Sequence, residues 1–350
     1  MPEVTSDALQ PPAAPLPLPQ PRPAWRRSPA GLVSLAVSGA LLIGLYRSMD
    51  MRLVGEALRG ADRVWLVASL AMIVPITVLR AIRFRWVAPA GALRGVGEAL
   101  RLTLVATALN AFVPAKAGDL IKSYFVAMRG GTSAGVAVAV IVYERVCDLF
   151  GVIAWCMVGW LAGGALAAGI PPAIWPMLGA IGVVCAVLIL SERAADLWRT
   201  LMVRALPHRK LRKVRDLAQG WPDLLRLLRG RRGGIALFSL FLWLVHLTQI
   251  WMFTVALSVN MPFMVCASLS AFALMAGQVP LTFAGLGARD VALVVLLAGY
   301  MAPEEAAALA ILISTRNLLP PLAALPIMRP YLATLVQEAR AWRTDVKRAG

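Results

Sequence analysis

The segments N-A-F-V-P-A-K-A-G-D, residues 110–119, and Q-V-P-L-T-F-A-G-L-G-A-R-D, residues 278–290, decide how this chain folds. Each reads amide, Val-Pro, a short spacer, Ala-Gly and, at its end, aspartate, and each interrupts a long apolar run. Proline and glycine end a helix and free backbone groups, which hydrocarbon cannot satisfy. Paired interruptions in the two halves of a chain therefore predict an inverted internal repeat with a central site.

The sequence around these segments is typical of an integral membrane protein. Of 350 residues, 59% are hydrophobic and 15% are charged, and the mean hydropathy is +0.73. A soluble helical core would need polar faces on its outer helices, and these runs have none. Several runs approach the length of about 20 residues that a membrane-spanning helix needs. The apolar runs occupy residues 29–46, 64–79, 102–128, 134–165, 173–190, 235–257, 263–300 and 304–327.

Basic residues between the runs predict the direction of the chain. They cluster before the first run, after the second, between residues 193 and 232, and after the last run. Because cytoplasmic loops carry such an excess, we expect these regions and both termini in the cytoplasm. The runs at 102–128 and 263–300 then each return to the side from which they enter. The cluster after the second run consists of Arg80, Arg83, Arg85, Arg94 and Arg101.

The predicted fold is therefore all-α, with six full spans and two oppositely oriented re-entrant helical hairpins. The linker between the halves places apolar residues at helical spacing among basic ones, which predicts amphipathic helices on the inner leaflet. A solvated linker is the alternative, because Gly220 and Pro222 break the pattern. The expected regions are a proline-rich cytoplasmic tail at 1–28, a first membrane repeat at 29–192, the linker at 193–233, a second membrane repeat at 234–328 and a basic tail at 329–350.

Charged residues also lie within or beside the apolar runs, where each costs about 2.5–3.5 kcal/mol at mid-membrane. Arg145 and Arg316 should lie about 20 Å into the helices that follow the two interruptions. Glu144 and Asp148 are four residues apart, so we expect both to clamp one arginine. Five cations and four anions leave one positive charge in excess. The set is Lys116, Asp119, Lys122, Glu144, Arg145, Asp148, Arg289, Asp290 and Arg316.

Four motifs, in order and spacing, resemble the transmembrane region of lysylphosphatidylglycerol synthase/flippase and its stand-alone, flippase-like relatives. The resemblance covers most of residues 30–330 and implies a polytopic protein of the bacterial inner membrane that handles an amphiphilic lipid. Family members have been linked to aminoacylated phospholipids. The motifs are R-A-I-R-F-R-W at 80–86, N-A-F-V-P-A-K-A-G-D at 110–119, Y-E-R-V-C-D-L at 143–149 and P-L-T-F-A-G-L-G-A-R-D at 280–290.

The sequence departs from the full synthase in two ways. Only 23 residues follow the last apolar run in this sequence, so we expect neither an aminoacyl-transfer domain nor synthesis of lysyl-lipid by this chain. The family pattern commonly has arginine where Lys116 stands and glutamate where Asp290 stands. Both replacements keep the charge but change the reach of the side chain, so the headgroup preference of relatives does not carry over.

The favoured function is a lipid flippase or transporter. Arg145 and Arg316 would bind a phosphate with their planar guanidinium groups, and nearby carboxylates would position them or exchange protons. Glycines in the interruptions would let backbone amides approach the headgroup. The candidate site residues are Asn110, Pro114, Lys116, Gly118, Asp119, Lys122, Glu144, Arg145, Asp148, Gln278, Pro280, Gly285, Gly287, Arg289, Asp290, Arg316 and Asn317.

Two other functions remain open. A glycosyltransferase that uses a lipid-linked sugar would need an outer-loop acid, such as Asp50, Glu56 or Asp62, but the chain has no D-x-D motif. A scaffold for lipid-synthesis enzymes would need no polar cavity, and mutual pairing of the charges would then only hold the bundle together. The basic residues predict contact with anionic inner-leaflet lipids and not with nucleic acid.

No cofactor or metal is expected, and neither is enzymatic activity. The chain has no G-x-x-x-x-G-K-[ST] phosphate loop, so we expect no ATP-driven pumping by this chain. Its four cysteines lie in apolar runs without C-x-x-C spacing, and its two histidines are far apart. For His246 and Gln249 the expected role is an interhelical hydrogen bond.

Overall fold

The computed structural model describes residues 29–112, 118–162, 170–205, 211–278 and 285–349, and these residues are helical or lie in short connections. The all-α class is confirmed. The predicted tail at 1–28 lies outside the described residues. The helices are α1 (Pro29–Arg47), α2 (Met51–Gly60), α3 (Arg63–Ala71), α4 (Ile73–Val87), α5 (Val96–Phe112), α6 (Asp119–Gly130), α7 (Ala134–Leu161), α8 (Ile174–Leu190), α9 (Glu192–Ala205), α10 (Leu211–Leu227), α11 (Arg232–Ala256), α12 (Phe263–Ala276), α13 (Ala288–Leu297) and α14 (Pro303–Ala349).

Three described segments are long and apolar enough to cross a bilayer: Arg63–Val87, Arg232–Ala256 and Pro303–Thr334. A fourth is reached if α8 and the start of α9, which meet at a bend of 102°, count as one broken span. Helix α7 has 28 residues but carries Glu144, Arg145 and Asp148. The apolar helices support a membrane protein, and the number of six full spans stays a prediction.

Each interrupted run forms two helices that pack on each other, α5 with α6 and α12 with α13. Glycine makes the close approach possible in both. A Cβ atom on Gly118 would lie 2.6 Å from the carbonyl oxygen of Ala106, and one on Gly285 would lie 2.4 Å from that of Gly277. Gly285 also has a φ of +77°, a left-handed conformation that side chains disfavour. The runs are therefore helical hairpins, and the face from which each enters the membrane stays a prediction.

Contacts between the helices occur in two matched sets. Helix α5 packs on α4 and α14, and α12 packs on α11 and α7. Helix α6 packs on α7, as α13 packs on α14, while α7 contacts α11 and α14 contacts α4. When α4, α5, α6 and α7 are matched in order to α11, α12, α13 and α14, each of these contacts has a counterpart in the other half of the chain. Each hairpin is held by the helix that follows it and by the corresponding helix of the other half.

The buried apolar residues form two clusters that meet along α7. Its first half, including Val140 and Tyr143, belongs to a cluster with α4, α5, α6 and α10. Its second half, including Val152 and Cys156, belongs to a cluster with α11, α12, α13 and α14. Glu144, Arg145 and Asp148 lie on α7 near the place where the two clusters meet, so their ion pairs form between the two clusters.

The linker forms two helices, α9 and α10, and the described apolar residues of the two helices differ in exposure. Helix α10 runs through Gly220 and Pro222 and packs on α7, so closely that a Cβ atom on Gly220 would lie 2.0 Å from the carbonyl carbon of Gly135. Its Leu224 and Leu225 are fully buried. The end of α10 around Leu224 and Leu225 thus packs on protein, and the prediction that the linker helices lie on the inner leaflet stays a prediction. Helix α9 instead exposes Leu197, Trp198 and Leu201.

The predicted boundary between the second membrane repeat and the basic tail, at residues 328 and 329, is not marked by a break in the helix. Helix α14 continues from Pro303 to Ala349, through the tail predicted at 329–350. It contains Pro320, Pro321, Pro326 and Pro330, each of which removes one backbone hydrogen-bond donor. The membrane segment and the basic end of the chain are therefore one continuous helical element.

Candidate functional site

A buried ion pair joins α4 to α7. Nη2 of Arg83 lies 2.6 Å from Oδ1 of Asp148, and Nη1 of Arg83 donates to Oγ of Ser239 on α11 at 3.3 Å. The Arg83 side chain is only 2% exposed. Taking two charges out of water is expensive, and a close pair with added hydrogen bonds offsets that cost. Arg83 therefore ties together three helices, two from the first half of the chain and one from the second.

The first hairpin joins this pair through Arg145. Asp119, at the start of α6, receives a hydrogen bond from Nη2 of Arg145 and a second, at 3.0 Å, from Nδ2 of Asn110 on α5. Nη1 of Arg145 lies 3.5 Å from Oδ2 of Asp148. The network thus runs from Asn110 to Asp119, Arg145, Asp148 and Arg83. The Arg145 side chain is 35% exposed, more than those of Asp119, Asp148 and Arg83.

Lys122 and Glu144 form a separate buried pair, with Nζ 3.2 Å from Oε2. Nζ of Lys122 also lies 4.7 Å from the centre of the Phe84 ring. Among the described residues no arginine pairs with Glu144, so the prediction that Glu144 and Asp148 clamp one arginine is wrong. The two carboxylates share a helix face, but α6 supplies a lysine to one and α4 supplies an arginine to the other.

The second hairpin pairs its own charges. Nε of Arg289 donates to Oδ1 of Asp290 at 2.9 Å, and its Nη2 donates to Oγ of Ser314 on α14 at 2.6 Å. The other oxygen of Asp290 accepts from the backbone N–H of Gly287 at 3.1 Å. Asp290 is therefore not bound to Arg316, whereas Asp119, its counterpart in the first hairpin, is bound to Arg145.

Arg316 is buried, 8% exposed, and forms no ion pair with a carboxylate of the described residues. Its Nη1 donates to Oε1 of Gln249 at 2.9 Å and, more weakly at 3.5 Å, to the carbonyl oxygen of His246. Gln249 in turn donates to the carbonyl oxygen of Ser69 at 2.7 Å, which holds its own oxygen toward Arg316. Gln249 makes the predicted interhelical bonds. Neutral acceptors leave the charge of Arg316 uncompensated.

Arg80 connects the two halves of the site. This half-buried side chain lies one helical turn before Arg83 and interacts electrostatically with Asp148 and Arg145. Arg316 interacts electrostatically with both Arg289 and Arg80. The charged groups therefore form one belt, which we call the polar belt, from Asp119 on the first hairpin to Asp290 on the second.

The structure changes the predicted site at several positions. Arg80 and Arg83 were expected in a cytoplasmic loop, but α4 continues to Val87 and places them in the belt. The missed signal is that buried Ala81, Phe84 and Val87 keep helical spacing between the arginines. Gln278 and Asn317 are exposed. The predicted residues Pro114, Lys116 and Pro280 lie outside the described residues.

The glycines have a packing role. A Cβ atom on Gly118 would meet α5, one on Gly285 would meet Gly277, and one on Gly287 would lie 2.9 Å from Cβ of Leu41 on α1. The N–H of Gly287 already binds Asp290. The space that each missing side chain leaves is therefore filled by protein, and the role of these glycines toward a headgroup stays a prediction.

The acidic residues considered for sugar chemistry cap helices. Oδ1 of Asp50 accepts from the N–H of Arg52, and Oδ1 of Asp62 accepts from the N–H of Val64, each at 2.8 Å. Such caps satisfy backbone donors that the first turn leaves without partners. A local structural role thus accounts for these two aspartates.

The model of one protein family, described as Lysylphosphatidylglycerol synthase TM region, matches residues 31–324. The chain belongs to this family. The match includes the polar belt and both hairpins. It also includes the three helical segments long enough to cross a bilayer, the last of them as far as residue 324. No curated protein is significantly similar to the chain in sequence. Membership confirms the resemblance drawn from the four motifs and supports a membrane protein with a lipid-related function.

Proposed function

We propose that this member of the lysylphosphatidylglycerol synthase TM family is a lipid flippase or transporter that binds an anionic headgroup at the polar belt. One observation carries the proposal: Arg316 is buried, yet only neutral oxygens of Gln249 and His246 accept from it among the described residues. An uncompensated buried cation costs several kcal/mol of folding free energy unless an anion binds it. A phosphate oxygen would supply that anion.

The paired charges of the first half serve as the frame of this site. Arg83, Asp148 and Asp119 are engaged with one another or with Arg145, so their charges are already balanced. Arg316 occupies on α14 the position that Arg145 has on α7, about midway along the membrane segment. Because arginine presents several donors in one plane, it suits a phosphate better than a lysine would.

The matched helix contacts support an internal repeat, and the distribution of basic residues predicts that its two hairpins enter from opposite faces. In such transporters the substrate binds where the repeats meet, and movement of one repeat against the other exposes it to each side in turn. Here α7 and α14 each contact hairpins from both halves. A movement of either hairpin would therefore change its packing on both α7 and α14. We place the protein in the bacterial inner membrane with both termini in the cytoplasm.

The test is the lipid that the protein retains during purification. Wild type and Arg316→Gln would be extracted in the same mild detergent, and bound lipids would be identified by mass spectrometry. Arg85→Gln is the matched control, because Arg85 lies on α4 outside the belt. We expect wild type and the control to retain one class of phosphate-bearing lipid and Arg316→Gln to lose it. Equal retention by all three proteins would contradict the proposal.

A further inference from the structure

The charges of the polar belt do not balance. Six described cations belong to the belt or to the neighbouring lysine pair, and four carboxylates face them. Each carboxylate has a cation within ion-pair distance: Asp119 has Arg145, Glu144 has Lys122, Asp148 has Arg83, and Asp290 has Arg289.

The two cations left over are Arg80 and Arg316. Neither forms an ion pair with a described residue. Arg80 interacts electrostatically with Asp148 and Asp119, but each of these carboxylates forms its ion pair with another arginine. The two leftover arginines lie on α4 and α14, helices that contact each other, and they interact electrostatically. Like charges on neighbouring helices in a partly buried site repel, and the repulsion is relieved by an anion that both can contact.

We propose that the site selects a lipid whose phosphate headgroup carries two negative charges, a phosphomonoester or a diphosphate, over a phosphodiester that carries one. Arg80 is then a specificity-determining residue and Arg316 the principal phosphate ligand. This inference rests on the proposed function and deepens it. A phosphomonoester carries a charge of about −1.5 to −2 at pH 7, which matches the two unpaired arginines. A phosphodiester would neutralise only one of them, and an aminoacylated phosphodiester would bring a further positive charge.

A doubly charged phosphate headgroup can belong to either of two lipid classes, a phosphomonoester or a diphosphate. The pH dependence of binding distinguishes the two classes. The second pKa of a phosphomonoester is about 6, so at pH 5 it carries close to one charge. A diphosphate linked at both ends keeps two charges throughout this range. Preference for a phosphomonoester should therefore fall between pH 7.5 and pH 5, whereas preference for a diphosphate should persist.

The experiment is a binding series with purified full-length protein in detergent. The probes are phosphatidic acid, phosphatidylglycerol and lysyl-phosphatidylglycerol with identical acyl chains, a polyprenyl diphosphate sugar, and inorganic phosphate. Arg80→Gln is compared with Arg85→Gln, which removes a half-buried arginine of the same helix outside the belt. We expect wild type and Arg85→Gln to prefer one doubly charged lipid over phosphatidylglycerol by about tenfold or more. Arg80→Gln should bind both at similar strength.

The results separate the two levels of the proposal. Equal binding of singly and doubly charged lipids by wild type, with binding still lost in Arg316→Gln, would overturn the charge selection and leave lipid transport standing. Binding of inorganic phosphate as tight as that of the lipids would also overturn it. Failure of wild type to bind any lipid would overturn both. The wild-type series decides the question even if Arg80→Gln does not fold.

Discussion

Arg83 and Asp148 form a buried ion pair, 2.6 Å between Nη2 and Oδ1, that joins α4 to the middle of α7. The other carboxylate oxygen of Asp148 lies 3.5 Å from Arg145, which in turn binds Asp119 at the start of α6. One pair thus positions the arginine that holds the first hairpin. Its removal should loosen the belt as well as the fold.

We expect Arg83→Gln to lower the free energy of unfolding by about 3–5 kcal/mol, because Asp148 would keep a buried charge with a weaker partner. Thermal unfolding in detergent measures the change. Arg52→Gln is the control, since the Arg52–Glu56 pair is exposed and such pairs contribute at most about 1 kcal/mol. Similar losses in the two variants would show that the Arg83 pair is not a structural tie.

Gly118→Ala should destabilise the first hairpin. The new Cβ would meet the backbone of α5 at 2.6 Å, closer than atoms can approach, and such overpacking costs about 1–3 kcal/mol. Gly97→Ala, in α5, meets nothing within 4 Å and should be neutral or slightly stabilising. Proteolysis and thermal unfolding of both variants measure the difference. A Gly118→Ala protein as stable as wild type would mean that α5 and α6 are not packed as described.

Helix α9 should lie on the membrane surface. It leaves α8 at a bend of 102° and exposes Leu197, Trp198 and Leu201. A fluorophore attached at Leu201→Cys should be quenched by brominated lipid, and one at Arg226→Cys on α10 should not. The four native cysteines are buried and should react little. Equal quenching at both positions would rule out a membrane-facing α9.

The ion pair between Glu192, at the start of α9, and Arg229, just after α10, should weaken in acid. Arg229 donates to Glu192 from Nε at 2.9 Å and from Nη2 at 2.6 Å, and these hydrogen bonds lower the pKa of Glu192 from 4.5 to about 2. A lowered pKa stabilises the folded state above the ordinary pKa, so the contribution falls as the pH drops from 4.5 toward 2. Fluorescence of the Leu201→Cys label against pH measures it. Glu192→Gln should remove the transition, and a variant that kept it would contradict this assignment.

The hairpins could be predicted from sequence because proline and glycine act locally. Val-Pro and Ala-Gly interrupt both apolar runs, and the helices described on either side of each interruption pack on each other. The position of Arg145 could also be predicted, since it depends only on counting residues along α7. Local chemistry and helix geometry are enough for features of this kind.

The partners of the charges could not be predicted, because they depend on which helices meet. Glu144 and Asp148 share a face of α7, but α6 brings Lys122 to one and α4 brings Arg83 to the other. The sequence predicts a loop at Arg83 because arginine lowers the hydropathy of any window that contains it. Only the packing of α4 on α7 and α11 shows that the charge is compensated within the protein.

The most direct test of the central claim is lipid movement across proteoliposomes that contain wild type, Arg316→Gln or Arg85→Gln, with labelled anionic, aminoacylated and polyprenyl lipids. Equal protein insertion would be verified in each sample. We predict that wild type and Arg85→Gln move one class of phosphate-bearing lipid and that Arg316→Gln does not. Movement by Arg316→Gln at the wild-type rate, or no movement of any lipid by correctly folded wild type, would contradict the proposed function.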